Sequence, residues 1–316
     1  MKQLEKITSN ELAERQKWSW KHKVDHSLGV IDQFLSRTDG KAFVSFSGGK
    51  DSSVLLNLCQ IILPNIKAVF FNTGMEYPDI VRHVREIKYG GGNIEIINPK
   101  QKPNEIWEEY GFPLVSKEQA HKLWYMKNKP NSKVAKIGYA KDSMHNVSLC
   151  WRFLVDEQFS CNSKCCDVLK KNPSHLYERK TGLHPIIGTM ASESLLRKEQ
   201  YLLRGGCNSF ERGKIMSTPL AIWTEDDVWA YIKDRQLKIA DIYSKGVRRT
   251  GCVCCGFGAH LDKRRYDALY RLYPKLYNHI MEYTNNGVTF REAIRKVLAV
   301  KGLALPDEDR QLTLSL

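Results

Sequence analysis

Short apolar runs alternate with longer amphipathic segments through the middle of the chain. The apolar runs have the length and residue types of buried strands, and the segments between them repeat apolar residues at helical spacing. Strands are predicted at residues 42–46, 66–71, 93–97, 184–188 and, from a weaker pattern, 214–219. Helices are predicted at residues 53–63, 79–88, 103–110, 192–203 and 224–235. Strands that alternate with helices indicate right-handed crossovers and a parallel sheet.

Both ends of the chain lack this alternation. The first 40 residues have helical patterns and a polar composition, and after residue 240 only helical patterns remain, near 262–273, 274–284 and 289–300. We therefore predict an N-terminal helical segment over 1–40, an α/β domain over 41–240 and a helical C-terminal region over 241–316. The fold class is α/β, with a Rossmann-like parallel sheet of about five strands and a helical C-terminal part.

Length and composition fit an ordinary globular enzyme. The chain has 316 residues, of which 42% are hydrophobic and 27% charged, and this excludes a collagen-like or wholly disordered protein. No apolar run reaches the length of a membrane span, and no apolar segment of a signal peptide follows Met1. We therefore expect a cytoplasmic protein that does not enter a membrane. Nine cysteines in a reducing compartment indicate metal, cluster or thiol chemistry rather than disulfides.

Positive charge is concentrated in parts of the chain. There are 49 lysines and arginines against 35 aspartates and glutamates, which gives a formal net charge of +14. Ser116–Asp142 holds seven lysines against Glu118 and Asp142. The same stretch contains four rings of the kind that stack on bases: His121, Trp124, Tyr125 and Tyr139. This combination suits nucleic acid, although a nucleotide site or a solvated surface would produce a similar excess of charge.

A glycine-containing loop, Ser47-Gly48-Gly49-Lys50-Asp51-Ser52, follows the first predicted strand and opens a helix. The two glycines let the backbone approach a ligand, and successive amides at a helix N-terminus attract phosphate. The serine hydroxyls and the Lys50 ammonium group add donors. The spacing matches neither a Walker A loop nor a dinucleotide-binding glycine motif. The alternative is an ordinary strand-to-helix turn capped by a serine.

The loop resembles the pyrophosphate-binding loop of the adenine-nucleotide α-hydrolase superfamily, and within it the chain is similar to the phosphoadenosine phosphosulfate reductase family. Two further segments carry the resemblance: Thr73-Gly74-Met75-Glu76 after the second strand, and Ile187–Ser194 with Arg197 behind it. The similarity extends over residues 42–258. It implies ATP or another adenine nucleotide as the ligand, with chemistry at the α-phosphate and, for ATP, release of pyrophosphate.

The resemblance also implies a set of site residues. Lys50 would neutralise charge on the bridging oxygen, and Asp51 would orient Lys50 or hold Mg²⁺, so these two are the expected catalytic residues. Arg197 and Arg248 are expected to clamp phosphate. The full set of expected nucleotide contacts is Ser47, Gly48, Gly49, Ser52, Ser53, Thr73, Gly74, Gly188, Glu193, Arg197 and Arg248.

Four of the nine cysteines form two pairs, Cys165-Cys166 and Cys252-x-x-Cys255. A lone Cys-x-x-Cys suits zinc or redox chemistry as well as a cluster. Adjacent cysteines point apart, however, and suit the separate irons of a cluster better. The tandem pair followed by the spaced pair resembles the iron–sulfur pattern of adenylylsulfate reductases. This implies a [4Fe–4S] cluster on Cys165, Cys166, Cys252 and Cys255, with zinc as the alternative.

One feature of the family's sulfate-assimilation members is missing. They carry a C-terminal cysteine that attacks the sulfate sulfur, whereas this chain has no cysteine after Cys255. In this respect the chain resembles the ATP-hydrolysing subunit of DNA phosphorothioation systems. That resemblance implies sulfur transfer to nucleic acid and a sulfur-donor or partner protein.

Two other functions remain open. One is reduction of adenylylsulfate or its 3′-phosphorylated form to sulfite, and the other is nucleic acid binding by a subunit that senses a nucleotide without turnover. Protease and hydrolase functions lack support, because there is no Ser-His-Asp order and no HExxH motif. Glu225-Asp226-Asp227 after Thr224 is predicted to begin a helix rather than to form a catalytic carboxylate pair.

Overall fold

The computed structural model describes residues 7–140, 144–211 and 215–308. Within these ranges the chain forms α-helices and short strands, joined by loops and a few 3₁₀ turns. The helices are α1 (Ser9–Gln16), α2 (Trp20–Arg37), α3 (Lys50–Ile62), α4 (Pro78–Tyr89), α5 (Pro103–Tyr110), α6 (Lys117–Asn128), α7 (Lys133–Tyr139), α8 (Lys164–Cys166), α9 (Asn172–Thr181), α10 (Leu195–Arg204), α11 (Glu225–Asp234), α12 (Arg264–Leu272), α13 (Pro274–Met281) and α14 (Phe290–Ala299). The strands are β1 (Ala42–Ser45), β2 (Lys67–Phe71), β3 (Ile94–Ile97), β4 (Leu114–Val115), β5 (His184–Ile187), β6 (Asn208–Ser209), β7 (Met216–Ser217), β8 (Gly256–Phe257), β9 (Thr284–Asn285) and β10 (Val288–Thr289).

Six strands form one sheet in the order β3-β2-β1-β5-β7-β6. Neighbouring strands run parallel except for β6 and β7, which pair antiparallel at one edge. β1 lies inside the sheet, where Val44 pairs with Ala68 of β2 on one side and with Ile186 of β5 on the other. The predicted α/β class with a largely parallel sheet is therefore confirmed.

The edge of this sheet differs from the prediction. The strand predicted at 214–219 pairs only over Met216–Ser217, and Lys214 lies outside the described residues. The sequence pattern does not predict β6, so the sheet has six strands rather than about five. Strands of two residues are too short to display an alternation of buried and exposed positions. For this reason the sequence pattern misses β6 and predicts β7 longer than it is.

The prediction that only helices follow residue 240 is wrong. β8 pairs with β4, and β9 pairs with β10 as a hairpin. The hairpin turn consists of Asn286 and Gly287, whose φ angles of 51° and 78° are both positive, as a type I′ turn requires. Asn-Gly is a hairpin signal that the sequence does contain, but the helical patterns on both sides of it dominate.

The described chain divides into two compact units. The first comprises residues 7–71, 78–97 and 174–248 and contains the six-stranded sheet. Phe43 and Val44 of β1 are fully buried, as are Ile31 of α2 and Leu55 of α3. Helices α2, α3 and α11 pack on one another. Burial of each large apolar side chain stabilises the unit by about 1.5–3 kcal/mol, and this core fixes the strand ends from which the loops project.

A buried ion pair joins α2 to α11 within the first unit. The Lys23 ammonium group lies 2.6 Å from Asp227 Oδ2 and 2.8 Å from the Gln16 carbonyl oxygen, and Lys23 is 1% exposed. Asp227 also accepts a hydrogen bond from the amide of Thr224, the N-cap residue of α11. Thr224 and Asp227 therefore form the predicted helix N-terminus, and a second function of Asp227 is to neutralise a buried lysine.

The second unit comprises residues 72–77, 98–173 and 249–308. Its core contains aromatic side chains, with the Phe290 ring 4.6 Å from that of Trp107 and 5.3 Å from that of Phe112. The Asn285 side-chain amide donates to the carbonyl oxygens of Trp107 and Glu108, which attaches the β9–β10 hairpin to the end of α5. This unit carries both cysteine pairs.

Candidate functional site

The loop between β1 and α3 depends on a glycine at position 48. Its φ angle is 72°, a conformation that residues with a side chain rarely adopt. A Cβ atom there would lie 2.8 Å from Ile80 Cγ2 and 2.8 Å from Val84 Cγ2, both on α4. Only glycine therefore lets α4 pack this closely against the loop. The loop geometry follows from a steric constraint that a larger residue would violate.

Backbone amides at the start of α3 remain available to a ligand. Among the hydrogen bonds of the described residues, none uses the amides of Gly48, Asp51 or Ser52. The Lys50 amide donates to the Tyr243 hydroxyl oxygen at 2.7 Å. Because α3 begins at Lys50 and has 13 residues, its positive end reinforces these donors. The arrangement is an anion-binding nest of the kind that holds phosphate groups.

The serines of the loop stabilise its backbone. The Ser52 hydroxyl donates to the Gly49 carbonyl oxygen at 2.9 Å and accepts from the Ser47 amide at 3.2 Å. The Ser53 hydroxyl donates to the same carbonyl oxygen at 3.1 Å. The hydroxyl groups of Ser52 and Ser53, predicted to contact a ligand, therefore stabilise the loop instead. The loop donors that have no acceptor among the described residues are backbone amides.

Lys50 lies between two carboxylates. Its ammonium nitrogen is 3.3 Å from Asp51 Oδ1 and 3.4 Å from Glu225 Oε1, and the residue is 4% exposed. The same nitrogen lies 6.0 Å from the centre of the Tyr243 ring. Asp51 Oδ1 is buried and accepts no hydrogen bond from the described residues. These carboxylates offset the cost of burying the lysine charge and hold it beside the loop.

Sequence reasoning missed Glu225 and Tyr243. Glu225 belongs to the acidic segment that opens α11, and a helix N-terminus explains acidic residues there without any ligand. Tyr243 follows Lys50 by 193 positions, so no local pattern connects the two. A tyrosine in a short 3₁₀ turn gives no signal by itself. Only the fold brings these side chains to the loop.

The third predicted segment follows β5 in the first unit. A Cβ atom at Gly188 would lie 3.3 Å from the Asp51 carbonyl oxygen, so glycine there permits a close approach to α3. Glu193 accepts a hydrogen bond from the Met190 amide at 3.0 Å and forms an ion pair with Arg197. Arg248 is exposed. Arg197 is thus engaged with Glu193, and its predicted phosphate contact stays a prediction, as does that of Arg248.

The turn at Thr73 and Gly74 belongs to the second unit. Thr73 donates to Glu76 from its hydroxyl at 2.6 Å and from its amide at 3.0 Å. Gly74 has a φ angle of 76°. The Met75 carbonyl oxygen accepts from the Val253 amide at 2.7 Å, which connects this turn to the Cys-x-x-Cys segment. Thr73 and Gly74 therefore belong to a compact turn, and the hydrogen bond from Val253 attaches this turn to the chain next to Cys252.

The four paired cysteines interact with one another in the second unit. Cys165 hydrogen-bonds to Cys166, and the pKa of Cys165 is raised by this bond, by burial and by the charges of Cys166, Cys255 and Cys252. All four are partly exposed. Cys254 is fully buried, and its burial raises the pKa of the thiol, so it behaves as an apolar neighbour. The four thiols therefore lie within range of one another's charges, and their function as cluster ligands stays a prediction.

Positive charge surrounds these thiols. The hydrogen bond with Cys165 lowers the pKa of Cys166, and the charges of Lys117 and Lys170 act in the same direction. The charge of Cys252 raises the pKa of Lys170. Burial raises the pKa of Cys255 to about 11. Cationic side chains next to thiols favour thiolates, which are the form that metals and clusters bind.

A [4Fe–4S] cluster on the four paired cysteines stays a prediction, as does the zinc alternative. Within the described residues, no three His, Cys, Asp or Glu side chains converge closely enough to hold one metal ion. A [4Fe–4S] cluster takes one thiolate for each iron, so its four sulfurs lie farther apart than the sulfurs around a single zinc ion.

No helix in the described part of the chain is both long and apolar enough to cross a bilayer.

Comparison with known proteins identifies a family. The sequence model described as the phosphoadenosine phosphosulfate reductase domain matches residues 41–256, which is more than half of the chain. The match includes the loop, the turn at Thr73, the segment after β5 and all four paired cysteines.

Three proteins illustrate what the chain is similar to. An uncharacterized protein of Methanocaldococcus jannaschii is 25% identical over 258 residues, covering 80% of this chain but only 50% of that protein. An adenosine 5′-phosphosulfate reductase of Staphylococcus epidermidis is 25% identical over 219 residues, covering 67% of this chain and 68% of the enzyme. A solved structure of phosphoadenylyl-sulfate reductase from Candida auris aligns with a TM-score of 0.44 at 15% identity, over 78% of this chain and 96% of that one.

Gly48→Ala is expected to weaken the binding of pyrophosphate to the loop. The new methyl group would lie 2.8 Å from Ile80 and Val84, so the loop or α4 must shift, and the amides would leave their positions. We expect the dissociation constant, measured by isothermal titration calorimetry, to rise by about tenfold or more, which corresponds to about 1.4 kcal/mol.

Gly40→Ala is the matched control for this substitution. Gly40 has a φ angle of 69°, but no atom lies within 4 Å of the position its Cβ would take. It therefore has the same backbone strain without the steric conflict, and pyrophosphate affinity should not change. Equal affinities for wild type and Gly48→Ala would show that the loop is not the anion site.

Proposed function

Because the chain belongs to the phosphoadenosine phosphosulfate reductase domain family, we propose that it is an enzyme that binds ATP or a related adenine nucleotide and acts at the α-phosphate. In the favoured reaction, ATP is cleaved between its α- and β-phosphates, and an adenylylated acceptor and pyrophosphate are formed. A sulfide-level sulfur from the donor then attacks the acceptor atom that carries the adenylyl group, and AMP leaves with the electron pair. We take nucleic acid as the acceptor and a partner protein as the sulfur donor.

One observation carries this proposal: free amides at the start of α3 lie beside a buried ammonium group. The amides of Gly48, Asp51 and Ser52 have no acceptor among the described residues, and Lys50 is 4% exposed. Such a site attracts a polyanion strongly, because the donors are fixed in advance and the lysine is already desolvated. Pyrophosphate has the size and charge that this set of donors suits.

The proposed cleavage assigns a function to each group of the loop. An oxygen of the acceptor attacks the α-phosphorus, the bond to the bridging oxygen breaks, and pyrophosphate leaves with the electron pair. The free amides would hold pyrophosphate oxygens throughout the reaction. Lys50 would neutralise the charge that develops on the bridging oxygen. Glu225 would act as a positioning residue, since its carboxylate lies 3.4 Å from the ammonium group.

The loop also has a carboxylate suited to Mg²⁺. Asp51 Oδ1 is buried and accepts no hydrogen bond from the described residues, although it lies 3.3 Å from the Lys50 ammonium nitrogen. Mg²⁺ is usually bound by one or two carboxylates together with substrate phosphates and water. Asp51 would supply one such ligand when a nucleotide is bound.

The thiol group would hold a [4Fe–4S] cluster on Cys165, Cys166, Cys252 and Cys255, with zinc as the alternative. Such a cluster supplies either electrons or a binding position for sulfur. The side chains of this unit prepare the site, because Lys117 and Lys170 favour the thiolates that ligation requires. Cys254, between two of the ligands, fills the core beneath them.

A second function is favoured by the named relatives. Several curated proteins that match two thirds or more of this chain are named adenosine 5′-phosphosulfate reductase, at 25–26% identity. By analogy with them, the same nucleotide site would bind adenylylsulfate, and an external dithiol would supply the two electrons that release sulfite and AMP while the dithiol becomes a disulfide. The two proposals share the loop and the α-phosphate and differ in the group that is attached to it.

Lys50→Ala tests the catalytic assignment. We expect wild-type protein, purified anaerobically, to release pyrophosphate from ATP in the presence of nucleic acid and a sulfur donor. Loss of the ammonium group should lower the rate by about 10²–10³-fold, the usual effect of removing a group that stabilises developing charge. The measurement is a coupled pyrophosphate assay.

Lys67→Ala is the matched control, because Lys67 is an accessible lysine of β2 in the same unit. The rate of pyrophosphate release by this variant should equal that of wild type. Sulfite release from adenylylsulfate, without pyrophosphate from ATP, would favour the second function. ATP binding with neither product would contradict an enzymatic function.

Cys165→Ser tests the cluster. Loss of one thiolate should remove most of the iron and acid-labile sulfide that copurify with the protein, measured by elemental and sulfide analysis under anaerobic conditions. Cys150→Ser is the control, since Cys150 is an exposed cysteine of the same unit, and should keep its iron. Zinc without sulfide in wild-type protein would contradict the cluster.

A further inference from the structure

Three exposed lysines on one part of the second unit have no ion-pair partner among the described residues. They are Lys129, at the end of α6, and Lys133 and Lys136 of α7. Lys133 is the first residue of α7, where the helix dipole disfavours a positive charge. No carboxylate among the described residues therefore neutralises these three charges.

Two further lysines of this stretch, Lys122 and Lys127, make contacts within the unit. Lys122 is 8% exposed and contacts both the Glu118 carboxylate and the His145 carbonyl oxygen. The Lys127 ammonium group donates to the Phe159 carbonyl oxygen at 2.8 Å, and burial lowers the pKa of Lys127. The structure thus separates lysines that hold the chain together from lysines that face outward.

Aromatic rings lie beside the outward lysines. The Lys129 ammonium nitrogen is 5.8 Å from the centre of the Trp124 ring and 6.0 Å from that of Tyr125. The two rings are 5.2 Å apart, and His121 lies 4.9 Å from Tyr125. Trp124 and Tyr125 are partly exposed and His121 is exposed. Lysines interleaved with accessible rings can contact phosphates and bases in the same ligand.

This surface is connected to the cysteine group through α6. The helix begins at Lys117, whose ammonium group interacts with the Cys166 thiol. It has 12 residues and is therefore about 18 Å long, and Lys129 follows its last residue. His121, Trp124 and Tyr125 lie within this helix, so a ligand that stacks on these rings would lie within one helix length of Lys117.

We propose that this surface, defined as His121, Trp124, Tyr125, Lys129, Lys133 and Lys136, binds a nucleic acid strand with unpaired bases. The lysines would contact backbone phosphates, and the rings would stack on bases that are not covered by a complementary strand. A duplex fits less well, since its base faces are stacked internally. The inference rests on the proposed function in that it places the nucleic acid acceptor on this unit.

The test measures binding of labelled single-stranded RNA and single-stranded DNA by fluorescence polarisation, with duplex DNA as the comparison. The variant combines Lys129→Glu, Lys133→Glu and Lys136→Glu. We expect its affinity for single strands to fall by at least about tenfold, and the slope of log affinity against log salt to decrease by about 2, since each phosphate contact contributes about 0.7.

The control variant carries Lys88→Glu, Lys180→Glu and Lys275→Glu, which changes the net charge equally at exposed positions elsewhere. It should keep most of the single-strand affinity. Equal losses in both variants, or a loss confined to duplex DNA, would overturn the proposal.

Pyrophosphate release from ATP is measured on the same proteins with single-stranded nucleic acid and a sulfur donor present, and the surface variant should be slower than wild type at strand concentrations below saturation. If wild-type protein forms no pyrophosphate but the surface variant alone loses single strands, the binding surface stands and the proposed reaction fails.

Discussion

The close packing of α4 against Gly48 is the constraint on which the proposed phosphate site depends. Two methyl groups, one from Ile80 and one from Val84, occupy the space that any side chain at position 48 would need. The backbone therefore turns with a positive φ angle and enters α3 at Lys50, which leaves the amides of Asp51 and Ser52 without acceptors. The packing of Ile80 and Val84 against position 48 thus leaves backbone hydrogen-bond donors unpaired after the end of β1.

Charge compensation determines what each unit can bind. In the first unit, Asp51 and Glu225 lie 3.3 and 3.4 Å from the buried Lys50 ammonium nitrogen and offset the cost of burying its charge. In the second, the hydrogen bond with Cys165 and the charges of Lys117 and Lys170 lower the pKa of Cys166, whereas burial raises the pKa of Cys255. We propose that the first arrangement suits an incoming phosphate and the second a metal group.

The sequence predicts features with a local cause better than those with a distant one. The strands 42–45 and 67–71 and the helix after the loop follow from apolar runs and a short motif. Glu225 and Tyr243 reach Lys50 from far along the chain, so no window of sequence contains the contact. β6 and β7 have two residues each, too few for a pattern. The basic stretch indicates nucleic acid, but only the structure distinguishes Lys127, bonded to carbonyls, from Lys129, which faces solvent beside aromatic rings.

The central claim, that the loop at the start of α3 is the phosphate site, is tested most directly by hydrogen–deuterium exchange of individual amides with and without Mg²⁺-pyrophosphate. The amides of Gly48, Asp51 and Ser52 have no acceptor in the described structure and should exchange quickly in the free protein. Bound pyrophosphate should slow exchange at these amides by the largest factor in the chain. Protection that appears elsewhere, with unchanged exchange at these three amides, would contradict the account.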